Sequence, residues 1–519
     1  MPFVDDREGR APAANGRRRR LAARWGAGVW LAIALSATTA AAAPLDEPFV
    51  GGLGFNGPTS GTVAAIYWNP AALGLVRGTQ ILISGDGRLT TTTVRRASID
   101  PTTGAPGGSF APGSATANDL MQPVQWPIGP GAFLGISSDL GGDRFTIGFA
   151  TYMPSIEQTR FALTPANNEP TRYQALQIDL RNLALVPALS VRFGDDLRLG
   201  IAPGFLFSTG EIMFDEDTAL DAGTPGLTGP CGTSSRCNAE NPAAAGRYDV
   251  RSGNGLGDAT FSFTLGGGLL YRLKSFDIGL SYQSRPIGSA VPGVEVAAEQ
   301  TTAYAPGGAP VTCPTGSTTR CVFGDLAYHL PDIWIGGFTW HARPGLEVTA
   351  MARWIWFHLQ DRIDVRLTGP TLESSGLPEH IVLYRGFHDV WDVRGRVSYW
   401  LRERVRLGAE LRVETSAVDA SAVNAAAVDG LKIEPMVLAE GRLTRHIWLS
   451  AGYGITLMRD VTANPSDFDP TAATKCVDSG NNLDNKYCAA RNAGQARPTA
   501  AGTYSQLVQD FGLAMTAKF

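Results

Sequence analysis

The sequence predicts an all-β fold: a transmembrane antiparallel β-barrel of about 14 strands, stoppered by a small N-terminal plug of short helices and turns. Three observations predict it. Two-residue alternation of apolar and polar side chains runs through segments longer than the ~5–6 residues usual in soluble strands. Tight turns and long loops alternate between those segments, giving one plain rim and one elaborate one. Apart from the N-terminus, no stretch approaches the ~18 consecutive apolar residues of a membrane-spanning helix, although only 18% of the 519 residues are charged.

In chain order, Arg17, Arg18, Arg19, Arg20 and Arg24 precede an uncharged apolar segment, Trp25 to Leu35, and a small-residue tract ending at Ala43. This is the pattern of a secretory signal peptide over residues 1–42, too short in its apolar core to act as a spanning anchor. Those residues hold seven of the 44 basic and three of the 48 acidic side chains, so the exported remainder is mildly acidic. No basic stripe offers a footprint for nucleic acid.

Residues 43–78 do not alternate. Gly51 to Gly61 is glycine-rich, Val63 to Tyr67 is a short apolar run, and Asn69 can cap a turn that Pro70 starts and Gly74 stops. Such a segment is too small to form its own core, and a barrel of about 14 strands has room for it in the lumen.

From Thr79 onward the alternation takes over, and residues 79–519 read as the barrel. Val405, Leu407, Ala409, Leu411 and Val413 interleave with Arg406, Gly408, Glu410, Arg412 and Glu414. Leu346 to Trp356, Ile447 to Leu457 and Phe511 to Phe519 repeat the pattern. The runs lie near 79–94, 130–139, 144–154, 172–193, 197–214, 258–273, 276–292, 325–342, 346–367, 381–401, 405–417, 432–443, 447–459 and 505–519. Turns at 139–143, 194–196, 273–275, 343–345, 402–404 and 444–446 face one side. A lipid-facing Arg at mid-depth costs ~2–4 kcal/mol, so the charged face must point inward. Trp334, Trp340, Trp391, Tyr399, Trp400 and Trp448 are candidates for the aromatic girdles. A large secreted β-sandwich or propeller is the soluble alternative, and it would turn its apolar faces inward.

The cysteines form three local pairs, Cys231-Cys237, Cys313-Cys321 and Cys476-Cys488, all in long loops of the elaborate rim. Loop-closing disulfides suit an oxidising compartment. Neither these pairs nor the six His have metal-ligand spacing, so no metal is expected. The match of Gly52, Gly54 and Gly57 to GxGxxG lacks the preceding strand of a dinucleotide site, and no cofactor is implied.

The stretch from Gly61 to Leu73, read GTVAAIYWNPAAL, resembles the hatch of the outer-membrane long-chain fatty-acid transport family, FadL-type, which includes toluene and other hydrocarbon importers. Asn69, Pro70 and Ala71 match its Asn-Pro-Ala motif. Leu330, Pro331 and Asp332 followed by Trp334, the His388 to Trp391 segment, and the terminal Phe519 match further features. The hatch is short for that family, and no acidic residue closely precedes Asn69. The resemblance implies a monomeric, hatch-plugged barrel in the outer membrane of a Gram-negative bacterium. It implies passive passage of long-chain fatty acids or other hydrophobic small molecules, which leave through a gap where a strand kinks beside the hatch.

Gly148 and Pro154 are the candidate strand kink, because Pro cannot donate to a ladder; the other reading is that Pro154 ends its strand. Arg181, Arg192, Arg353, Arg394, Arg396 and Arg412 lie on polar faces as candidate contacts for a ligand carboxylate. Two rival functions remain at this level: a structural or adhesive surface barrel that transports nothing, and a membrane-embedded lipid hydrolase using a Ser/His pair.

Overall fold

The computed structural model describes residues 51–98, 113–120, 132–161, 170–171, 173–217, 245–251, 260–287, 293–296, 323–327, 330–360, 362–368, 380–401, 403–464, 466–468 and 500–519. Fourteen strands close on themselves: β1 (Thr79–Arg96), β2 (Phe133–Ser138), β3 (Phe145–Arg160), β4 (Gln177–Phe193), β5 (Leu197–Asp217), β6 (Thr260–Arg272), β7 (Phe276–Gln283), β8 (Ile333–Arg343), β9 (Leu346–Ile355), β10 (Val390–Leu401), β11 (Val405–Glu414), β12 (Lys432–Arg442), β13 (Ile447–Met458) and β14 (Gly502–Lys518). Each pairs antiparallel with the next. The ring is sealed by β14 on β1, in register from Gln80 opposite Lys518 to Arg96 opposite Gly502. Closure leaves every described barrel strand paired on both sides over most of its length, so few backbone groups face hydrocarbon unpaired.

The alternation fixes which face goes in. Along β10, Asp392, Arg394, Arg396 and Ser398 are buried while Trp391, Val393, Val397 and Tyr399 are exposed. Asp392 is 0% accessible and its neighbours Trp391 and Val393 are each 50% accessible. A soluble sandwich has the opposite polarity. Outward apolar belts around inward charge belong to a barrel whose solvent is lipid.

All fourteen runs read from the sequence contain a barrel strand, and the largest corrections to their extents concern four of them, while the 144–154 run extends to Arg160. The 276–292 run leaves the barrel at Gln283. The 325–342, 346–367 and 381–401 runs each join a barrel strand to a piece of something else. Phe323–Ala327, Arg362–Thr368 and His380–Tyr384, with Gly293–Val296, form a separate four-stranded antiparallel sheet within the loop-rim connections. A 3-10 turn, Phe357–Gln360, breaks the second of these runs. Alternation reports a half-buried strand but not the sheet it joins, and that is why these pieces merged.

β2 is short, and among the described residues this interrupts the hydrogen-bonded ladder of the wall. It pairs with β1 only from Thr79 to Ser84. Farther out, β1 takes the strand Ser114–Leu120 on that side, from Leu89 to Arg95. Among the described residues, β3 beyond Tyr152 has a barrel partner on the β4 side alone.

Residues 51–78 pack inside the tight-turn half of the lumen as a short α-helix, α1 (Ala65–Trp68), followed by a 3-10 helix (Pro70–Leu75). Val63 to Trp68 and Ala71 to Leu73 are all buried and join the main hydrophobic cluster with inward side chains of the wall.

Candidate functional site

Asn69 ends α1 and caps the 3-10 helix. Its Oδ1 accepts from the Ala71 amide at 3.1 Å, and its Nδ2 donates to the carbonyls of Pro58 at 2.6 Å and Leu269 at 3.0 Å. One side chain therefore satisfies a helix start, a hatch loop and the wall of β6. Pro70 suits the first helical position because its missing N–H is one that no helix would use. The wall makes room for this corner: a Cβ on Gly200 would lie 2.2 Å from the Ala71 nitrogen, and one on Gly268 would lie 2.0 Å from Asn69 Oδ1. Gly200 and Gly268 are register partners on β5 and β6, so the hatch backbone lies directly on a bare patch of sheet.

Wall side chains cap five further hatch carbonyls. Ser190 donates to Ala71 O at 2.9 Å, Ser281 to Trp68 O at 2.6 Å, Gln283 to Tyr67 O at 2.5 Å, Arg198 to Gly74 O at 3.3 Å and Arg396 to Asn56 O at 2.8 Å. Helix ends buried in a lumen need such partners, because no bulk water reaches them.

Pro154 does not end its strand. β3 continues to Arg160, and its register on β4 slips by one residue between Tyr152 and Ser155, so Pro154 sits in a bulge. A residue that cannot donate to the ladder is tolerated there. Gly148 is no part of this break: it faces the hatch, where a Cβ would come 2.9 Å from Ile66 Cδ1. At the bulge Tyr152 stacks on Phe133 with centroids 5.7 Å apart and meets Tyr67 of the hatch edge-on at 5.3 Å. These three rings, with Trp68 against Tyr67 at 5.2 Å, line the lumen where β2 stops. The aromatic cluster did not emerge from the sequence; its signal is a lone Tyr on the small-residue face of β3 next to Pro154.

The predicted arginines divide into two groups. Arg181 pairs with Asp179 on the face of β4 opposite Asn182 and Ser190, and Arg192 bonds Asp195 at a tight turn, so both stand apart from the lumenal cluster. Arg353, Arg394, Arg396 and Arg412 all point inward. Asp392 is the hub: Arg353 reaches it at 2.7 Å, Arg394 at 2.9 Å and Arg412 at 3.2 Å. Arg412 also binds Glu434 at 3.0 Å and Glu414, Lys432 binds Glu414 at 3.0 Å and Asp429, and Arg396 binds Glu410 at 3.2 Å. Arg353 and Arg394 lie 5.8 and 5.3 Å from the Trp68 ring centre, tying the network to the hatch.

Two features flank the hatch. The β11–β12 connection is buried at Ala417, Val423, Ala425 and Val428; the Ala425 amide donates to Gln174 at 2.7 Å, and inward-facing Tyr504 reaches the same Gln174 oxygen at 3.3 Å. It forms an outer stopper. On the tight-turn side lies a cavity of about 280 Å³ with a mixed lining that includes Phe55, Trp400, Thr59, His341, Glu347 and Arg406. Among the described residues no cluster of three or more His, Cys, Asp or Glu has metal-binding geometry. The pairs Cys231-Cys237, Cys313-Cys321 and Cys476-Cys488 lie outside the described residues.

A family model described as outer membrane protein transport protein (OMPP1/FadL/TodX) matches residues 31–430. The chain belongs to the FadL/TodX family. As a FadL/TodX protein it is an outer-membrane β-barrel for transport of hydrophobic compounds, as the resemblance of the Asn69-Pro70-Ala71 segment implied. Its fold is that of a Pseudomonas aeruginosa FadL homologue, with a TM-score of 0.65 at 13% identity over 93% of this chain and 100% of that one. The P. putida toluene transporter TodX gives a TM-score of 0.56 at 13% identity over 88% and 94%. The Ralstonia pickettii toluene transporter TbuX gives 0.52 at 12% identity over 93% and 99%. No curated protein sequence matches the chain.

Proposed function

We propose that this chain is exported behind a cleaved signal peptide, residues 1–42, and works as a monomer in the outer membrane of a Gram-negative bacterium. Residues 43–78 serve as the hatch and 79–519 as the barrel, with the three cysteine pairs closing outer loops as disulfides. It passes hydrophobic small molecules, long-chain fatty acids or hydrocarbons, downhill and without a cofactor or catalytic step. The ligand leaves the lumen sideways into outer-membrane lipid, between β1 with its partner Ser114–Leu120 and the outer half of β3.

One observation supports this reading: among the described residues the hydrogen-bonded ladder is interrupted beside the Pro154 bulge, and the rings of Tyr67, Phe133 and Tyr152 stand on its lumenal side. Burial of alkyl or aryl carbon gains ~0.8 kcal/mol per methylene, enough to hold a ligand at such a surface and release it to lipid of similar polarity. An adhesive barrel would need neither hatch nor gap. Deleting Pro154 removes the one extra residue and restores register along β3 and β4. Uptake into proteoliposomes should fall at least tenfold while the barrel still migrates as folded on unheated gels. Undiminished uptake by the folded deletion variant would end the lateral-exit reading.

A further inference from the structure

Two of the tryptophans expected in the girdles, Trp400 and Trp448, instead line the cavity on the tight-turn side. Their rings meet edge to face with centroids 5.8 Å apart, and Leu53, Phe55 and Leu75 of the hatch add further apolar wall. Three acids, Asp277, Glu347 and Glu440, and three bases, Arg396, Arg406 and Lys518, line the same space. Most of them are paired. Asp277 is held by Arg272 at 2.8 Å, Arg396 by Glu410 at 3.2 Å, and Glu347 by Arg406, whose guanidinium also sits 4.1 Å from the Phe55 ring centre. His341 stands between Asp277 at 3.1 Å and Glu347 at 3.6 Å.

Glu440 and Lys518 are left over. Glu440 is the register partner of Arg406 across β11 and β12, yet Arg406 reaches back to Glu347 on β9. Among the described residues Glu440 then keeps a single contact, 3.4 Å from the Ser450 hydroxyl. The Lys518 ammonium lies 5.0 Å from the Trp448 ring centre and has no carboxylate in salt-bridge range among the described residues. Both side chains are half-buried, and they do not reach each other within salt-bridge distance. A half-buried ion without a partner carries a desolvation cost that a ligand of opposite charge offsets through charge-assisted hydrogen bonds. A plain anion would satisfy Lys518 but leave Glu440 alone and meet two further acids. A plain cation faces the mirror problem. A ligand with an ammonium and a carboxylate on one small frame answers both groups and leaves the formal charge of the cavity unchanged, while the rings receive an apolar side group.

We propose that this cavity binds a small zwitterion with an aromatic or bulky apolar side group, the chemical class of the aromatic amino acids, with its carboxylate at Lys518 and its ammonium at Glu440. The site is independent of the lateral exit, because none of Tyr67, Phe133 and Tyr152 lines it. The test titrates the full chain in lipid nanodiscs by calorimetry at neutral pH, with empty nanodiscs as the blank. Three probes share one carbon skeleton: phenylalanine, phenethylamine, which lacks the carboxylate, and 3-phenylpropionate, which lacks the ammonium. Phenylalanine should bind at least tenfold tighter than either and should slow hydrogen exchange over the hatch residues 53–62. Equal or tighter binding of a singly charged probe overturns the inference, as does absence of binding by all three. Phenylalanine binding that leaves exchange at 53–62 unchanged puts the ligand elsewhere and overturns it too. Glu440→Gln should weaken phenylalanine at least tenfold while sparing 3-phenylpropionate, and Lys518→Met should do so while sparing phenethylamine. A folded variant of either kind that keeps full phenylalanine affinity counts against the assignment. If neither variant folds, the three probes on the unaltered chain decide.

Discussion

At Asn69 a single amide holds three hydrogen bonds that no other side chain of its size can reproduce. In Asn69→Asp the Nδ2 donor becomes an oxygen facing the carbonyls of Pro58 and Leu269, so both lose their partner and meet a negative charge. Each orphaned buried carbonyl costs about 1–3 kcal/mol. Hydrogen exchange over residues 58–75 should rise sharply in Asn69→Asp and less in Asn69→Ala; equal protection in both would show that the amide is not the anchor. Asp392 makes a comparable case in charge. Its loss in Asp392→Ala leaves Arg353, Arg394 and Arg412 crowded in a buried site, and breaking such a set costs about 3–5 kcal/mol. The unfolding midpoint in detergent should drop well beyond that of Ser398→Ala on the same face.

At the scale of elements, the tight turns hold a titratable clasp. Asp139, at the β2–β3 turn, accepts from the amides of Gly78 at 2.9 Å and Gly141 at 3.0 Å, with Arg77 nearby, and these hold its carboxyl below the ordinary value of 3.8. A carboxyl whose acidity is strengthened by folding stabilises the fold above its ordinary value and loses that contribution as pH falls through the lowered one. Acid below about pH 4 should therefore loosen the junction between hatch and β1. Asp139→Asn should flatten this part of the pH profile, as read by proteolysis after Arg77; a profile unchanged by the substitution would assign the acid sensitivity elsewhere. The strands themselves were legible in the sequence because inward charge and outward Val, Leu and Trp follow from lipid on one side and paired ions on the other. The hatch motif was legible because Asn69-Pro70 is a local helix-start signal. The bulge was half legible, since Pro154 marks a fault but only the partner strand decides between a stop and a slip. The outer stopper was not: Ala417 to Val428 is small and apolar, but burial against Gln174 and Tyr504 is a long-range fact that no local pattern encodes. Nor could the sequence show that Arg181 and Arg192 are held by acids of their own strand or turn, because that depends on the face and height at which each leaves the sheet.

At the scale of the whole molecule, among the described residues, the hatch and the inward-packed β11–β12 connection lie one beyond the other along the barrel axis, and the ladder is interrupted at one place in its side. Under the proposed lateral route, movement of cargo requires no opening of the axial route, which separates transport from leakiness. Planar-bilayer recording should find almost no steady current through the intact protein, and a hatch deletion of residues 51–75 should introduce one. A large resting current from the intact chain would sink this picture of the axis.

The ring of matched ions on β9 to β12 has an electrical consequence. Five guanidinium or ammonium groups paired with five carboxylates give this set no net formal charge, so it draws neither sign of small ion in excess toward that wall.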